Sequence, residues 1–350
     1  MMDKPHAKTW AEKYGGSDKF TIRTIEQLNE FLKDSTPEEV FSTYDDRVES
    51  IYTKYAKLCH PDSVDHTLAV ETFKLLTDKR EARLNGKFVK ITAKLGTYEV
   101  SEKPIFKGDI ADFYLTKDKK HLLKIGRTQK SKDLFSNEHK VLKAINSEVT
   151  LNSKMQHYYH FISNSFAIDG GGSDRSCHVF EYNPELYSLV QVHEKYPDLD
   201  PRHWAWMFKR ILVSLAWTHK QGYVHGAVLP EHILVNRETH GAKLIGWSHS
   251  VKVGEVITSI PGGEKDQYPQ SVIDKQPATP EIDLYMVGQL GKWMLGNQLQ
   301  ENSNSQIRSY LRAFSLPKAK LPGGAWDFHV LLDEILQRMY GKPKFVNLEM

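Results

Sequence analysis

The residues with the clearest chemical potential lie in one stretch, from Val224 to Ser248. It reads Val-His-Gly-Ala-Val-Leu-Pro-Glu-His-Ile-Leu-Val-Asn, then a short turn, then Lys-Leu-Ile-Gly-Trp-Ser. The apolar runs predict a strand that ends at His225, a loop with Pro230 and Glu231, and two further strands joined by a hairpin turn. Imidazole and carboxylate groups in such a loop are those that proteins use for proton transfer and metal binding.

This order resembles the catalytic loop and metal loop of protein kinases, where His-Arg-Asp-Leu-Lys-Pro-Glu-Asn precedes Asp-Phe-Gly. The positions that match the kinase pattern are His225, Pro230, Glu231, Ile233 and Leu234. The resemblance covers about residues 88–350 and implies an α+β, bilobal fold, with a small β-rich N-lobe and a helical C-lobe.

The residues that would perform kinase chemistry are different here. Ala227 stands where the family has its catalytic aspartate, and a methyl group cannot accept the substrate's proton. His232 replaces the asparagine that holds magnesium, and Gly246 replaces the metal-binding aspartate. Loss of a positioned base alone costs about 10²- to 10⁴-fold in rate. The sequence therefore predicts a pseudokinase, with no catalytic residue and no well-formed magnesium site.

Three other positions match the kinase N-lobe. Gly108 is the one glycine kept from the family's glycine-rich loop, and an ordinary hairpin is an equal interpretation of that segment. Lys124 matches the phosphate-binding lysine, and Glu138 lies on the apolar stripe of the helix that follows. An unpaired buried charge is costly, and the kinase resemblance implies that Lys124 is the partner of Glu138. The alternative is that Glu138 reaches water at the edge of the stripe. ATP is the nucleotide that the resemblance implies, without a formed magnesium site.

Helical periodicity dominates the remainder of the kinase-like part. Amphipathic helices are predicted over 201–222 and 326–340, and an almost wholly apolar central helix begins near Glu281. The resemblance implies that Asp283 accepts hydrogen bonds from the backbone of residues 225–227, a structural role. Tyr268-Pro269-Gln270 stands at the family's Ala-Pro-Glu.

A second motif lies upstream, where two predicted helices flank His60-Pro61-Asp62. This arrangement resembles a J domain, the part of DnaJ-type co-chaperones that stimulates a DnaK-type chaperone. The resemblance implies chaperone contacts at the tripeptide and at Lys54 and Lys57 on the first helix. Arg80 departs from the family's buried tyrosine. The alternative is a helical hairpin whose turn contains proline and aspartate, both common turn residues.

The predicted domain boundaries follow from these motifs. We expect an N-terminal tail and short helix over 1–45, a J-like hairpin over 46–86, an N-lobe over 87–178 and a C-lobe over 179–350. The combination is similar to bacterial and phage proteins that join a degenerate J domain to a kinase-like domain with His-Gly-Ala in place of His-Arg-Asp.

Composition limits the remaining function classes. The net charge of +3 and the scattered basic residues give no support for nucleic-acid binding. No signal-like or membrane-spanning apolar run is present, and two cysteines suggest a reducing cytoplasm. The sixteen histidines lack zinc-site spacing, so we interpret those near the loop as scattered polar or core residues.

Three functions remain open. The first is a non-catalytic module that binds protein partners, with the J-like unit recruiting a DnaK-type chaperone. The second is an atypical phosphoryl or nucleotidyl transferase, in which Asp109, Asp112 or His232 would supply metal ligands. The third is a J-type co-chaperone whose kinase-like part is a substrate adaptor.

Overall fold

The computed structural model describes residues 22–41, 45–84, 88–93, 96–150, 153–168, 174–315 and 323–350. Residues 1–21 of the segment predicted as an N-terminal tail and short helix lie outside these ranges. The chain divides into two compact units, with the division between Phe88 and Val89. Each unit has its own buried hydrophobic cluster.

The first unit is helical. Its helices are α1 (Ile25–Asp34), α2 (Pro37–Phe41), α3 (Asp45–Cys59) and α4 (Ala69–Leu84). Thr24 caps the start of α1, because its hydroxyl accepts a hydrogen bond from the Gln27 N–H and its own N–H donates to Gln27 Oε1. This reciprocal cap satisfies two amide groups that the helix itself leaves free. Thr36 and Glu39 exchange the same two bonds at the start of α2.

Helices α3 and α4 form the predicted hairpin, and α1 packs against α4. The side-chain amide of Asn29 donates to the Thr72 hydroxyl at 2.8 Å, which ties α1 to α4 inside the core. Arg80 does not enter that core. Its guanidinium lies 4.8 Å from the centre of the Tyr52 ring and pairs with Glu49 at the surface. Among the described residues, the hairpin therefore packs together with α1 and α2 in one helical unit.

The second unit begins with a sheet-rich lobe. A two-stranded sheet, β1 (Phe88–Ala93) and β2 (Gly96–Ser101), accompanies a five-stranded antiparallel sheet of order β3-β4-β5-β7-β6. Its strands are β3 (Phe106–Lys107), β4 (Ala111–Leu115), β5 (His121–Gly126), β6 (Ile162–Ile168) and β7 (Arg175–Glu181). One helix of this lobe, α5 (Lys132–Thr150), lies between β5 and β6 in the chain. Central strand β5 carries Lys124 opposite Phe113 on β4 and His178 on β7.

The second lobe of this unit is mainly helical. Its helices are α6 (Leu189–Lys195), α7 (Pro201–Lys220), α8 (Gln270–Ile273), α9 (Pro280–Leu295), α10 (Ser305–Ala313) and α11 (Ala325–Tyr340). Short strands lie beside them: β8 (Leu186–Ser188), β9 (Tyr223–Val224), β10 (Ile233–Asn236), β11 (Gly241–Leu244) and β12 (Val251–Lys252). The loop at 225–232 is held at both ends, because β9 before it pairs with β12, and β10 after it pairs with both β8 and β11.

The main core explains why the helical lobe is stable. Helix α7 places Trp204, Phe208 and Leu212 in it, and α9 buries residues on nearly all sides, as the sequence predicts for a central helix. The predicted α+β, bilobal architecture is confirmed for the second unit. A membrane crossing would need a longer unbroken apolar helix than any in the described part of the chain.

Candidate functional site: the cleft between the lobes

The first feature of the cleft is a buried ion pair. Lys124 Nζ lies 2.7 Å from Glu138 Oε2, and their side chains are 8% and 2% exposed. Burial alone would raise the pKa of Glu138, but the charge and hydrogen bond of Lys124 hold it below its ordinary value. The predicted pair between β5 and α5 is therefore confirmed, and it fixes the helix against the sheet.

The same helix is bound to the helical lobe through a residue that sequence reasoning missed. The Asn137 side-chain amide donates to the carbonyl oxygens of Ser248 at 3.0 Å and Ser250 at 2.8 Å. Lys124 Nζ also reaches Ser248 Oγ at 3.4 Å. Little in the sequence pointed to this contact beyond the place of Asn137 next to Glu138. Its partners are backbone atoms more than 100 residues away, and backbone atoms carry no sequence motif.

The loop at 225–227 rests on a buried carboxylate, as predicted. Asp283 accepts hydrogen bonds from the His225 N–H at 2.7 Å, the Gly226 N–H at 2.8 Å and His219 Nε2 at 2.9 Å. Burial opposes its ionisation, but these donors and nearby histidines keep the pKa of Asp283 below its usual range. Tyr268, from the predicted Ala-Pro-Glu equivalent, donates to the Gly226 carbonyl at 2.8 Å. The loop is thus held in shape without a ligand.

His225 performs a packing role in this loop. Its Nε2 donates to the Ile245 carbonyl at 2.9 Å, and its ring meets the Trp247 ring at 4.6 Å, edge to face. Burial lowers the pKa of His225 to about 4, so the imidazole is neutral near pH 7. Ala227 follows, fully buried, with no group that could accept a substrate proton.

The two positions that the kinase resemblance assigns to metal binding, His232 and Gly246, lie against one another. Gly246 has a φ of +81°, and a Cβ atom added to it would lie 2.5 Å from ring carbons of His232. The His232 ring is held there because its Nδ1 donates to the Ala227 carbonyl at 2.8 Å. Burial lowers the pKa of His232. Any side chain at Gly246 would therefore collide with His232 unless that ring moved.

The segment at the predicted glycine-rich loop is a tight hairpin. The Gly108 N–H donates to the Ala111 carbonyl at 2.9 Å, and the Ile110 N–H donates to Asp109 Oδ1 at 2.8 Å. A phosphate-binding loop must instead direct its free N–H groups at the ligand. Gly108 thus lies in an ordinary hairpin, the alternative that the sequence left open, with these two donors already used.

The structure gathers histidines that the sequence interpretation took as scattered. His225 and His232 have ring centres 6.3 Å apart, and His249 Nε2 lies 3.9 Å from Asp109 Oδ2 across the cleft. His240, by contrast, is stacked between Trp206 and Phe345. No group of three or more histidine, cysteine, aspartate or glutamate side chains suited to a metal is found among the described residues. Those of the histidines that are buried instead bond to backbone oxygens or stack on aromatic rings.

The tripeptide of the first unit lies at the exposed turn between α3 and α4. His60 Nδ1 accepts a hydrogen bond from the Asp62 N–H at 3.2 Å, and its ring packs 4.7 Å from the Phe73 ring. The Asp62 side chain is 89% exposed. Lys54 and Lys57 are exposed on α3. The turn is thus internally ordered and accessible.

The arrangement of the cleft does not fit a magnesium ion. Hard divalent ions need several oxygen ligands. At the positions where a kinase would provide the base and these ligands, this chain has Ala227, His232 and Gly246. Asp109 is one of the acids that interact with His232, but its carboxylate faces His249 and the Ile110 N–H. The cleft can align Lys124 and Glu138, yet it offers no base at Ala227 and no cradle of free amides.

Comparisons with known proteins agree with this geometry at the level of fold. No family model matches the sequence. A 118-residue segment is 28% identical to the maternal embryonic leucine zipper kinase of Danio rerio. It covers 32% of this chain and only 17% of that protein.

A solved structure, that of vaccinia related kinase 3, covers 74% of this chain and 92% of its own, with a TM-score of 0.54 and 16% identity. At that identity the likeness concerns the fold alone. The chain therefore contains a protein-kinase-like fold, with a β-sheet N-lobe and a helical C-lobe.

Proposed function

We propose that the second unit is a pseudokinase, a non-catalytic module that binds a protein partner. The observation that carries this proposal is the contact between His232 and Gly246. The two positions where a kinase holds magnesium are an imidazole ring and a glycine, so neither side chain supplies an oxygen ligand, and the His232 ring lies where a side chain at 246 would stand. Ala227 removes the base as well.

Phosphoryl transfer from labelled ATP, with magnesium or manganese, tests this proposal directly. We expect no incorporation into the chain itself or into a generic acceptor protein. Ala227→Asp is the matched control variant, because it restores the base while His232 still fills the metal position, and it should also be inactive. Transfer by the wild type that disappears in Lys124→Ala would overturn the proposal.

We further propose that the first unit recruits a DnaK-type chaperone. Its support is the exposed, internally bonded turn at His60 to Asp62 beside the basic residues Lys54 and Lys57. Together the units would deliver a protein bound by the kinase-like fold to a chaperone. We propose a cytoplasmic location, because the two cysteines are buried and form no disulfide. We propose neither a nucleic acid nor a membrane as a partner.

Stimulation of a DnaK-type ATPase by the full chain tests this second step. We expect stimulation by the wild type and its loss in His60→Gln. His66→Gln is the control, since His66 lies just beyond the tripeptide and pairs with Glu26 within the unit. A wild type that gives no stimulation, or a His60→Gln variant as effective as the wild type, would contradict recruitment.

An atypical transferase is the alternative, and one observation favours it. Lys124 is already aligned by Glu138 and Ser248, as phosphate binding would need. A nucleotide at 100 times its dissociation constant should stabilise the chain by about 2.7 kcal/mol, which a thermal-shift titration detects readily. Stabilisation of the wild type by ATP that depends on a metal ion would favour the transferase over the pseudokinase.

A further inference from the structure

The hairpin tip, residues 108–111, is clamped from its own lobe by Arg127. The Arg127 guanidinium donates to the carbonyl of Asp109 at 3.0 Å, to the carbonyl of Gly108, and to Asp112 Oδ1 at 2.8–2.9 Å. Its own N–H donates to the Ile110 carbonyl at 3.1 Å. Arg127 thus binds residues 108–112 from within the same lobe, through its side chain and its backbone amide.

The same tip is bound from the opposite lobe through Asp109. Asp109 Oδ2 lies 3.9 Å from His249 Nε2, and His249 Nδ1 lies 3.0 Å from the Ser259 carbonyl oxygen. His249 follows the metal loop directly, and its side chain is only 4% exposed. A single imidazole therefore joins the hairpin tip to the metal loop and to the segment that follows it.

The charges around this bridge favour its closed state. The His249 ring faces Asp109 Oδ2 through one nitrogen, and the carbonyl and hydroxyl oxygens of Ser259 through the other. Burial opposes the charge of Asp109, but the nearby His249 ring and the Ile110 N–H hold the pKa of Asp109 below its ordinary value. Other titratable groups that interact with this pair are His232, His225 and Tyr268.

We propose that Asp109 and His249 form a latch that holds the hairpin tip closed over the cleft and blocks an anionic ligand from Lys124. The ligand class that would enter on opening is a nucleoside polyphosphate without its metal ion, because the cleft offers a lysine but no magnesium ligands. The proposal rests on the non-catalytic function proposed above. It adds that a contact within the chain closes the cleft, and that a ligand can enter when this contact is broken.

Asp109→Asn is the variant that opens the latch with the least disturbance. An asparagine oxygen can still accept the Ile110 N–H and preserve the turn, while the charge that attracts His249 is removed. Asp118→Asn is the matched control. Asp118 also sits in a hairpin turn, accepting from the Thr116 hydroxyl at 2.6 Å and the Lys120 N–H at 3.1 Å, but at the far end of β4.

Hydrogen exchange of the full chain gives the first readout, without any ligand. We expect amides at 108–113 to exchange about tenfold faster in Asp109→Asn, since loss of a contact that favours the closed state by about 1.4 kcal/mol shifts the opening equilibrium by that factor. The control should match the wild type. Equal protection at 108–113 in the wild type and Asp109→Asn overturns the latch.

Binding of metal-free ADP, measured by calorimetry, gives the second readout. We expect binding by Asp109→Asn and by His249→Ala, and none by the wild type or by Asp118→Asn. Wild-type binding as tight as that of Asp109→Asn, or no binding by either latch variant, also overturns the proposal. Phosphoryl transfer by the wild type would instead overturn the proposed function, so the two failures are distinguishable.

Discussion

The two sides of the interlobe cleft differ in how they depart from a working kinase. On the N-lobe side, Lys124 and Glu138 keep their predicted pair, and Asn137 adds contacts to the helical lobe. On the C-lobe side, the metal positions are replaced by His232 packed against Gly246. The comparison teaches that the alignment of the lobes and the chemistry between them are separable, because protein groups alone can hold the alignment.

The largest effect should come from breaking the retained side. Glu138→Ala leaves Lys124 buried with its charge unpaired, which costs about 3–5 kcal/mol of unfolding free energy. Urea denaturation measures this loss. Ser136→Ala, at an exposed site on the same helix, should change stability by less than about 0.5 kcal/mol. A similar stability for Glu138→Ala and the wild type would mean that the pair does not hold α5 in place.

Restoring the kinase aspartate on the C-lobe side of the cleft should destabilise the protein. Gly246→Asp introduces a side chain at a φ of +81° and against the His232 ring, so it should destabilise by about 2–4 kcal/mol. Adding His232→Asn removes the ring and should recover part of that loss. A double-mutant cycle from denaturation curves measures the recovery. Strictly additive effects would show that the two residues do not share space.

A pH series tests the packed histidine at the boundary of the two sides. The pKa of His225 is lowered to about 4 by burial, against an ordinary value of 6.5. The unfolded chain therefore binds more protons between these values, and stability should fall as pH drops from 6.5 to 4, by up to about 3 kcal/mol for this residue.

Buried His178 and His232 also have lowered pKa values and act in the same direction. His225→Asn should therefore reduce the pH dependence of unfolding without abolishing it. Denaturation midpoints at pH 7 and pH 5 measure the difference. An unchanged dependence in the variant would show that burial does not lower the pKa of His225 in the folded protein.

The smallest effect should come from the contact that joins the two sides. Asn137→Ala leaves the Ser248 and Ser250 carbonyls without these donors and should cost about 1–3 kcal/mol. Hydrogen exchange at 248–253 should become faster, while the Lys124–Glu138 pair remains. Unchanged exchange there would mean that Lys124 alone is sufficient to hold the metal loop.

The sequence determined those features that depend on local pattern or on residue type. Apolar periodicity gave the helices and strands of the kinase-like fold, and a carboxylate on an apolar stripe required a cationic partner, which is Lys124. The absence of a base at Ala227 needed no structure, because a methyl group has no proton-accepting atom. The turn at His60 to Asp62 was equally visible from its composition.

Tertiary structure decided what fills the space that the missing groups leave. Glycine at 246 removes a ligand in the sequence, but only the fold shows the His232 ring in that space. Asn137, Arg127 and His249 carry no motif, since their partners are backbone oxygens or side chains from distant segments. Such contacts depend on where folding places an atom, and residue type alone does not encode that position.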